Sequence, residues 1–144
     1  MAEIKRFSMV KPSLQTPFHI DFDWWKQHDN NWRVFLYSCL CPEHQAAYAN
    51  MNEDINIDWI DPITAEVRTL DGLQHVLIEH CARQPGFYST NTTLVDGVFR
   101  VLLANGNAPL TIGEIAAKIN RQPEMILRTL TGVQVYKGIK PCQI

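Results

Sequence analysis

The most constraining stretch of the chain lies between Leu94 and Gly132, where caps and breakers cut an apolar pattern into three short helices. Leu94, Val98, Val101 and Leu102 recur at helical spacing and give the first of them one apolar face. Asn105-Gly106-Asn107 ends it, because Gly and Asn accept the left-handed backbone that closes a helix. Thr111 and Glu114 stand three apart, the capping-box spacing, so a second helix is predicted after Thr111 with Ile115, Ala116 and Ile119 inward. Asn120-Arg121-Gln122 supplies a turn, and Pro123 suits the first position of a third helix. Ile126, Leu127 and Leu130 form its inward stripe, and Gly132 stops it. Val133, Val135 and Tyr136, followed by Lys137-Gly138, read as a strand running into a turn.

These pieces, LTIGEIAAKIN, the short turn, RQPEMILRTLTG and then VQVYKG, resemble the winged helix-turn-helix superfamily of DNA-binding regulators over about residues 94–140. The resemblance implies a domain over 94–144 whose helix at about 123–131 lies in the major groove of double-stranded DNA. Arg128, Thr129 and Glu124 would then face the bases, with Arg121 where that helix begins. Arginine forks onto guanine edges and Glu124 would accept from cytosine, while Lys118, Lys137 and Lys140 would touch phosphates. The wing is short: six residues follow Gly138, and Pro141 is a poor member of a strand. A single strand, pairing with a hairpin elsewhere in the chain or with another subunit, is the alternative. One short helix reads few base pairs, so a homodimer or a protein partner is expected. The function expected on this reading is a DNA-binding transcriptional regulator. The alternative is a protein–protein interaction module or small complex subunit that uses the winged fold as scaffold, with Met125 in the contact.

Charge is divided in the same direction. Residues 1–93 hold seven Lys/Arg against twelve Asp/Glu, whereas residues 94–144 hold six against three. An acidic front and a basic back fit a nucleic-acid module joined to a region with other work. With 144 residues, 46 % hydrophobic and 19 % charged, the chain has the composition of an ordinary globular domain. The fold class expected is α+β and mainly helical, with the C-terminal unit packed on a small helical and β-hairpin N-terminal region. No apolar run reaches membrane-spanning length, and the first 25 residues lack an uninterrupted apolar core and a small-residue cleavage site, so a cytoplasmic protein with no membrane partner is expected.

The front two thirds are read in pieces. Residues 1–20 carry two prolines and little periodicity, and are expected to be an arm. A helix is predicted after Asp21 or Asp23, an interruption at Asp29-Asn30-Asn31, and a second helix with Trp32, Phe35, Leu36 and Cys39 on one face. Pro42 opens another short helix. Alternation at Ile55, Ile57 and Trp59, and again at Ala65, Val67 and Thr69, predicts a β-hairpin over about 55–70. Leu73, Val76, Leu77 and His80 predict a helix ending before Pro85-Gly86, and residues 87–93 connect to the C-terminal unit. Trp24, Trp25, Trp32 and Phe35 form either a dimer interface or the private core of this region.

Metal-ligating side chains concentrate in Cys39-Leu40-Cys41-Pro42-Glu43-His44 and in His80-Cys81. Cys41 and His44 are three apart at the mouth of a helix, a spacing that turns both toward one point. Cys81 or His80 would add to the set, with Cys39 or Cys142 as a further candidate. Sulfur and imidazole ligands favour zinc, and a filled set is structural. On a continuous helix His80 and Cys81 would point about 100° apart and not share one ion. Cys39 and Cys81 also read as small core hydrophobes, and His80 as a buried histidine. A cysteine nucleophile paired with His44 or His80 needs a proximity that sequence does not fix, and phosphate-loop and acidic-metal motifs are absent, so no enzyme is expected.

Overall fold

A computed structural model describes residues 11–48, 56–60 and 62–142. The element order is β1 (Pro17–Ile20), α1 (Phe22–His28), α2 (Trp32–Cys39), α3 (Pro42–Ala47), β2 (Asn56–Ile60), β3 (Val67–Asp71), α4 (Gly72–Glu79), a 3-10 turn (Cys81–Arg83), α5 (Leu94–Ala104), β4 (Leu110–Thr111), α6 (Ile112–Ile119), α7 (Pro123–Leu130) and β5 (Ile139–Pro141). The protein is α+β and mainly helical, as expected.

The helices of the C-terminal third form for the reasons their sequence gives. Thr111 and Glu114 make the reciprocal capping box: the Glu114 backbone N–H donates to Thr111 Oγ1 at 3.2 Å, and the Thr111 backbone N–H donates to Glu114 Oε1 at 2.9 Å. Asn120 closes α6 in the left-handed conformation, φ 54°, and Pro123 opens α7. Ile112, Ile115, Ile119 and Ile126 are fully buried. They pack beneath α5, which buries Val98, Phe99, Val101, Leu102 and Leu103.

Two expectations are corrected here. The last four residues of the stretch expected to be an arm are β1, the central strand of a three-stranded antiparallel sheet in the order β4-β1-β5. Phe18 and Ile20 alternate into the core while Pro17 and His19 are half-buried. Four residues and one proline were too little periodicity to register as a strand. The strand expected at Val133–Tyr136 does not form, and Val133 is fully exposed. The strand comes later, at β5, because Lys137 and Gly138 both take positive φ and turn the chain back. Its partner is β1, with Ile20 opposite Ile139 and Phe18 opposite Pro141. Pro141 is tolerated because β5 is an edge strand. The pairing is thus neither a local wing nor a contact with the hairpin.

Several contacts lock this sheet to α1. Asn107, itself at φ 61°, accepts from the Ile20 N–H at 2.8 Å and donates to the Ile20 carbonyl at 2.9 Å. Asp21 caps α1 by accepting from the Trp24 N–H, and its own N–H donates to the Gly138 carbonyl at 2.7 Å. A Cβ at Gly138 would stand 2.6 Å from the Asp21 carbonyl oxygen, so glycine is required there for approach as well as for φ.

Of the front region's aromatic set, Trp25 is buried in the core, and Trp24, Trp32 and Phe35 are partly buried against it. Trp25 is 1 % exposed and meets Trp32, Phe35 and Phe99 edge to face at ring separations of 6.5, 6.0 and 5.3 Å. Through Phe99 on α5, the front helices and the C-terminal helices share one hydrophobic core. The β2–β3 hairpin is present, with Asn56 opposite Asp71 and Ile60 opposite Val67. Ile55 and Asp61 lie outside the described residues, as do residues 1–10 of the expected arm.

Candidate metal centre and basic face

Three of the candidate ligands, Cys41, His44 and His80, converge where α3 meets the end of α4, with the Cys81 sulfur beside the first two. Leu40 and Cys41 are extended, and Pro42 starts α3 immediately after Cys41. One turn of helix then brings His44 back over Cys41, with Cys41 Sγ 3.1 Å from His44 Nδ1. From the other side, α4 ends at Glu79 and His80 takes φ −126°, ψ −63°, outside the helical run. The chain restarts as a 3-10 turn with Cys81 and Ala82 buried. His80 falls within ligand distance of Cys41 and His44, while Cys81 approaches those two from the 3-10 turn.

Cys81 Sγ lies 3.5 Å from Cys41 Sγ and 3.7 Å from His44 Nδ1. The rings of His44 and His80 are 4.5 Å apart, and ligand atoms of Cys41, His44 and His80 fall within 4.8 Å of one another. The separations among Cys41, His44 and Cys81 are close to those between ligands of one small ion. With Zn–S bonds of about 2.3 Å and Zn–N bonds of about 2.05 Å, a tetrahedron has edges of about 3.8 Å between sulfurs and about 3.5 Å between sulfur and nitrogen. The cluster can hold a metal ion. Burial pushes the Cys81 thiol up to about 11, against a usual value near 9.0.

Cys39 and Cys142 do not join the cluster. Cys39 is 3 % exposed on the core face of α2, where burial raises its thiol pKa. Cys142 follows β5, its N–H donating to the Pro17 carbonyl at 2.9 Å. Helix α3, which carries His44 and is capped by Cys41, buries no residue. Besides the cluster, it is tied to α2 by the Tyr37 hydroxyl donating to the Gln45 carbonyl at 2.7 Å, and by the Gln45 amide donating to the carbonyls of Tyr37 and Ser38. No signal in the sequence singled out Gln45 or Tyr37.

The residues expected on a nucleic-acid face divide into two groups. Lys118, Glu124 and Arg128 are exposed, on the outward sides of α6 and α7. Thr129 is half-buried, its hydroxyl donating to the Met125 carbonyl at 2.9 Å. Arg121 donates to the Thr92 carbonyl at 2.5 Å and pins the connector before α5. Lys137 stands over the Phe35 ring at 4.0 Å. Lys140 lies 3.6 Å from Asp21 Oδ2 and over Trp24 at 5.4 Å. Three of the expected basic contacts are thus engaged within the molecule, through packing and charge pairing that spacing along the chain does not reveal.

No helix among the described residues is long and apolar enough to cross a membrane. No protein-family model, curated protein or solved structure matches the chain.

Proposed function

We propose that this protein is a DNA-binding regulator of helix-turn-helix type, in which α7 reads the major groove and a structural zinc ion fastens the front region. The observation that carries the reading is the pairing of α6 and α7. A capped helix, a three-residue turn and a proline-started helix bury Ile119, Ile126 and Leu130 and leave Lys118, Glu124 and Arg128 outward. Arg128 would be the guanine reader and Lys118 a phosphate contact. With Arg121, Lys137 and Lys140 held internally, one copy offers few phosphate contacts. Useful affinity then calls for a homodimer or a protein partner.

For the metal, a thiol and two imidazoles, with a second thiol beside them, are ligand chemistry that suits zinc. A structural ion explains the cluster better than a Cys41–His44 nucleophile pair, because the Cys41 sulfur is also crowded by Cys81. The groove lined by Phe35, Thr92, Asp96, Arg100 and Lys137 does not reach it.

The test is binding of the metal-loaded protein to duplex DNA across a salt series. Affinity that falls steeply with salt, and falls again in Arg128→Ala and Lys118→Ala, supports the reading. A folded, metal-loaded protein that binds no duplex at low salt overturns it. A second reading, docking onto a protein, is favoured by the exposure of Met125 and Val133 and by the apolar hairpin tip of Ile60, Ile63 and Val67. It predicts that Met125→Asp abolishes partner binding while salt has little effect.

A further inference from the structure

Cys41 and Cys81 are 40 positions apart and sit on separate elements, yet their sulfurs are 3.5 Å apart. Cys41 is half-buried and Cys81 is 1 % exposed, so a reagent from solvent meets Cys41 first and finds Cys81 directly behind it. Cys39 is buried in the core of α2, and Cys142 lies beside Pro17 on the sheet, so neither competes as the second sulfur. We infer that Cys41 and Cys81 form an oxidation site for hydroperoxides, at which disulfide formation ejects the metal ion. The ejection rests on the reading of the cluster as a metal centre; the pairing of the two sulfurs does not.

The chemistry balances without another reactant. Cys41 is a thiolate when it ligates an ion. The Cys41 thiolate attacks one peroxide oxygen, the O–O bond breaks, and the departing hydroxide takes a proton from solvent to become water. Cys41 is left as a sulfenic acid. The Cys81 sulfur then attacks the Cys41 sulfur, forming the S–S bond, and the proton of the Cys81 thiol leaves with the expelled hydroxide as water. Two electrons pass from the sulfur pair to the peroxide, and two waters leave. The ion retains only His44 and His80 as ligands and is released. The tether between α3 and the 3-10 turn survives, because a covalent bond replaces the coordinated one. Reduction of the disulfide restores the ligand set.

The experiment treats the full-length, zinc-equilibrated protein with hydrogen peroxide. Released zinc is read with a colorimetric chelator, and disulfides are mapped by peptide mass spectrometry. The expected result is one zinc ion released per Cys41–Cys81 disulfide formed, with Cys39 and Cys142 still alkylatable, and recovery of zinc uptake after reduction. In Cys81→Ser, oxidation should stop at a sulfenic acid on Cys41 that a dimedone probe captures. Zinc retained at a peroxide dose that oxidises Cys142, or a disulfide mapped to any other pair, overturns the inference. A protein that takes up no zinc but still links Cys41 to Cys81 defeats the metal reading and leaves the oxidation site standing.

Discussion

Helix α5 is eleven residues long and buries Gly97, Val98, Phe99, Val101, Leu102 and Leu103, whereas α3 is six residues long and buries none. The first is held by apolar area removed from water and needs no particular partner chemistry. The second has no such area, and is too short to be helical on its own. What fixes it is a handful of directional contacts: the thiol and imidazole cluster, and the hydrogen bonds of Tyr37 and Gln45. A hydrophobic contact loses strength gradually as it loosens, while a ligand set holds or fails as a unit. The two regions should therefore answer different perturbations.

The largest effect is expected at the joint between them. Phe99 is fully buried and stacks edge to face with Trp25 and Phe35. Phe99→Ala should cost about 3–5 kcal/mol of global stability, read as a shift in the denaturant midpoint. A cost below about 1 kcal/mol would mean that the two regions do not share a core. The second perturbation is removal of bound metal by a chelator, or His44→Ala. Amide-exchange protection should be lost over α3 and the 3-10 turn, with α5 to α7 unchanged and global unfolding free energy altered by no more than about 1 kcal/mol. Loss of protection across the whole chain would erase the contrast between the regions.

The smallest effect is a pH dependence at the sheet. The Trp24 N–H, and then Lys140, hold the Asp21 carboxyl below its ordinary value. Asp29 is held low by the Asn31 N–H and then the Trp25 indole. A lowered folded pKa means that the stabilisation is present above the unfolded value of about 3.9 and is lost as pH falls through the folded one. Asp21→Ala should cost about 1 kcal/mol at neutral pH, and that difference should shrink below about pH 4. An equal cost at pH 7 and pH 3 would show that the carboxylate charge is not what the cap uses.

Much of the C-terminal third was legible because its signals are local. Thr111 and Glu114 need only each other, Asn120 needs only its own tolerance of positive φ, and the α6 and α7 stripes need only their spacing. The cysteine and histidine cluster was half legible. The Cys41–His44 spacing carries its own geometry, but the opposite pair depends on α4 ending at Glu79, which periodicity did not place. β1 was missed because its reason for being a strand lies about ninety residues away, at Leu110, and further still at Ile139.

The basic residues show the same division. Sequence by itself determined which positions carry charge and which helical faces are apolar. It also determined that sulfur and imidazole ligands cluster near residues 41 and 80. Tertiary structure decided that Lys137 is spent on Phe35, Lys140 on Asp21 and Arg121 on the Thr92 carbonyl, leaving Lys118 and Arg128 outward. It also decided that Cys41, His44 and His80 meet, with Cys81 beside the first two, and that Cys39 and Cys142 stand apart. The physical reason is range. Helix caps and stripes are satisfied within a few residues, whereas a cation over a ring or two sulfurs side by side exist only after distant elements share a core.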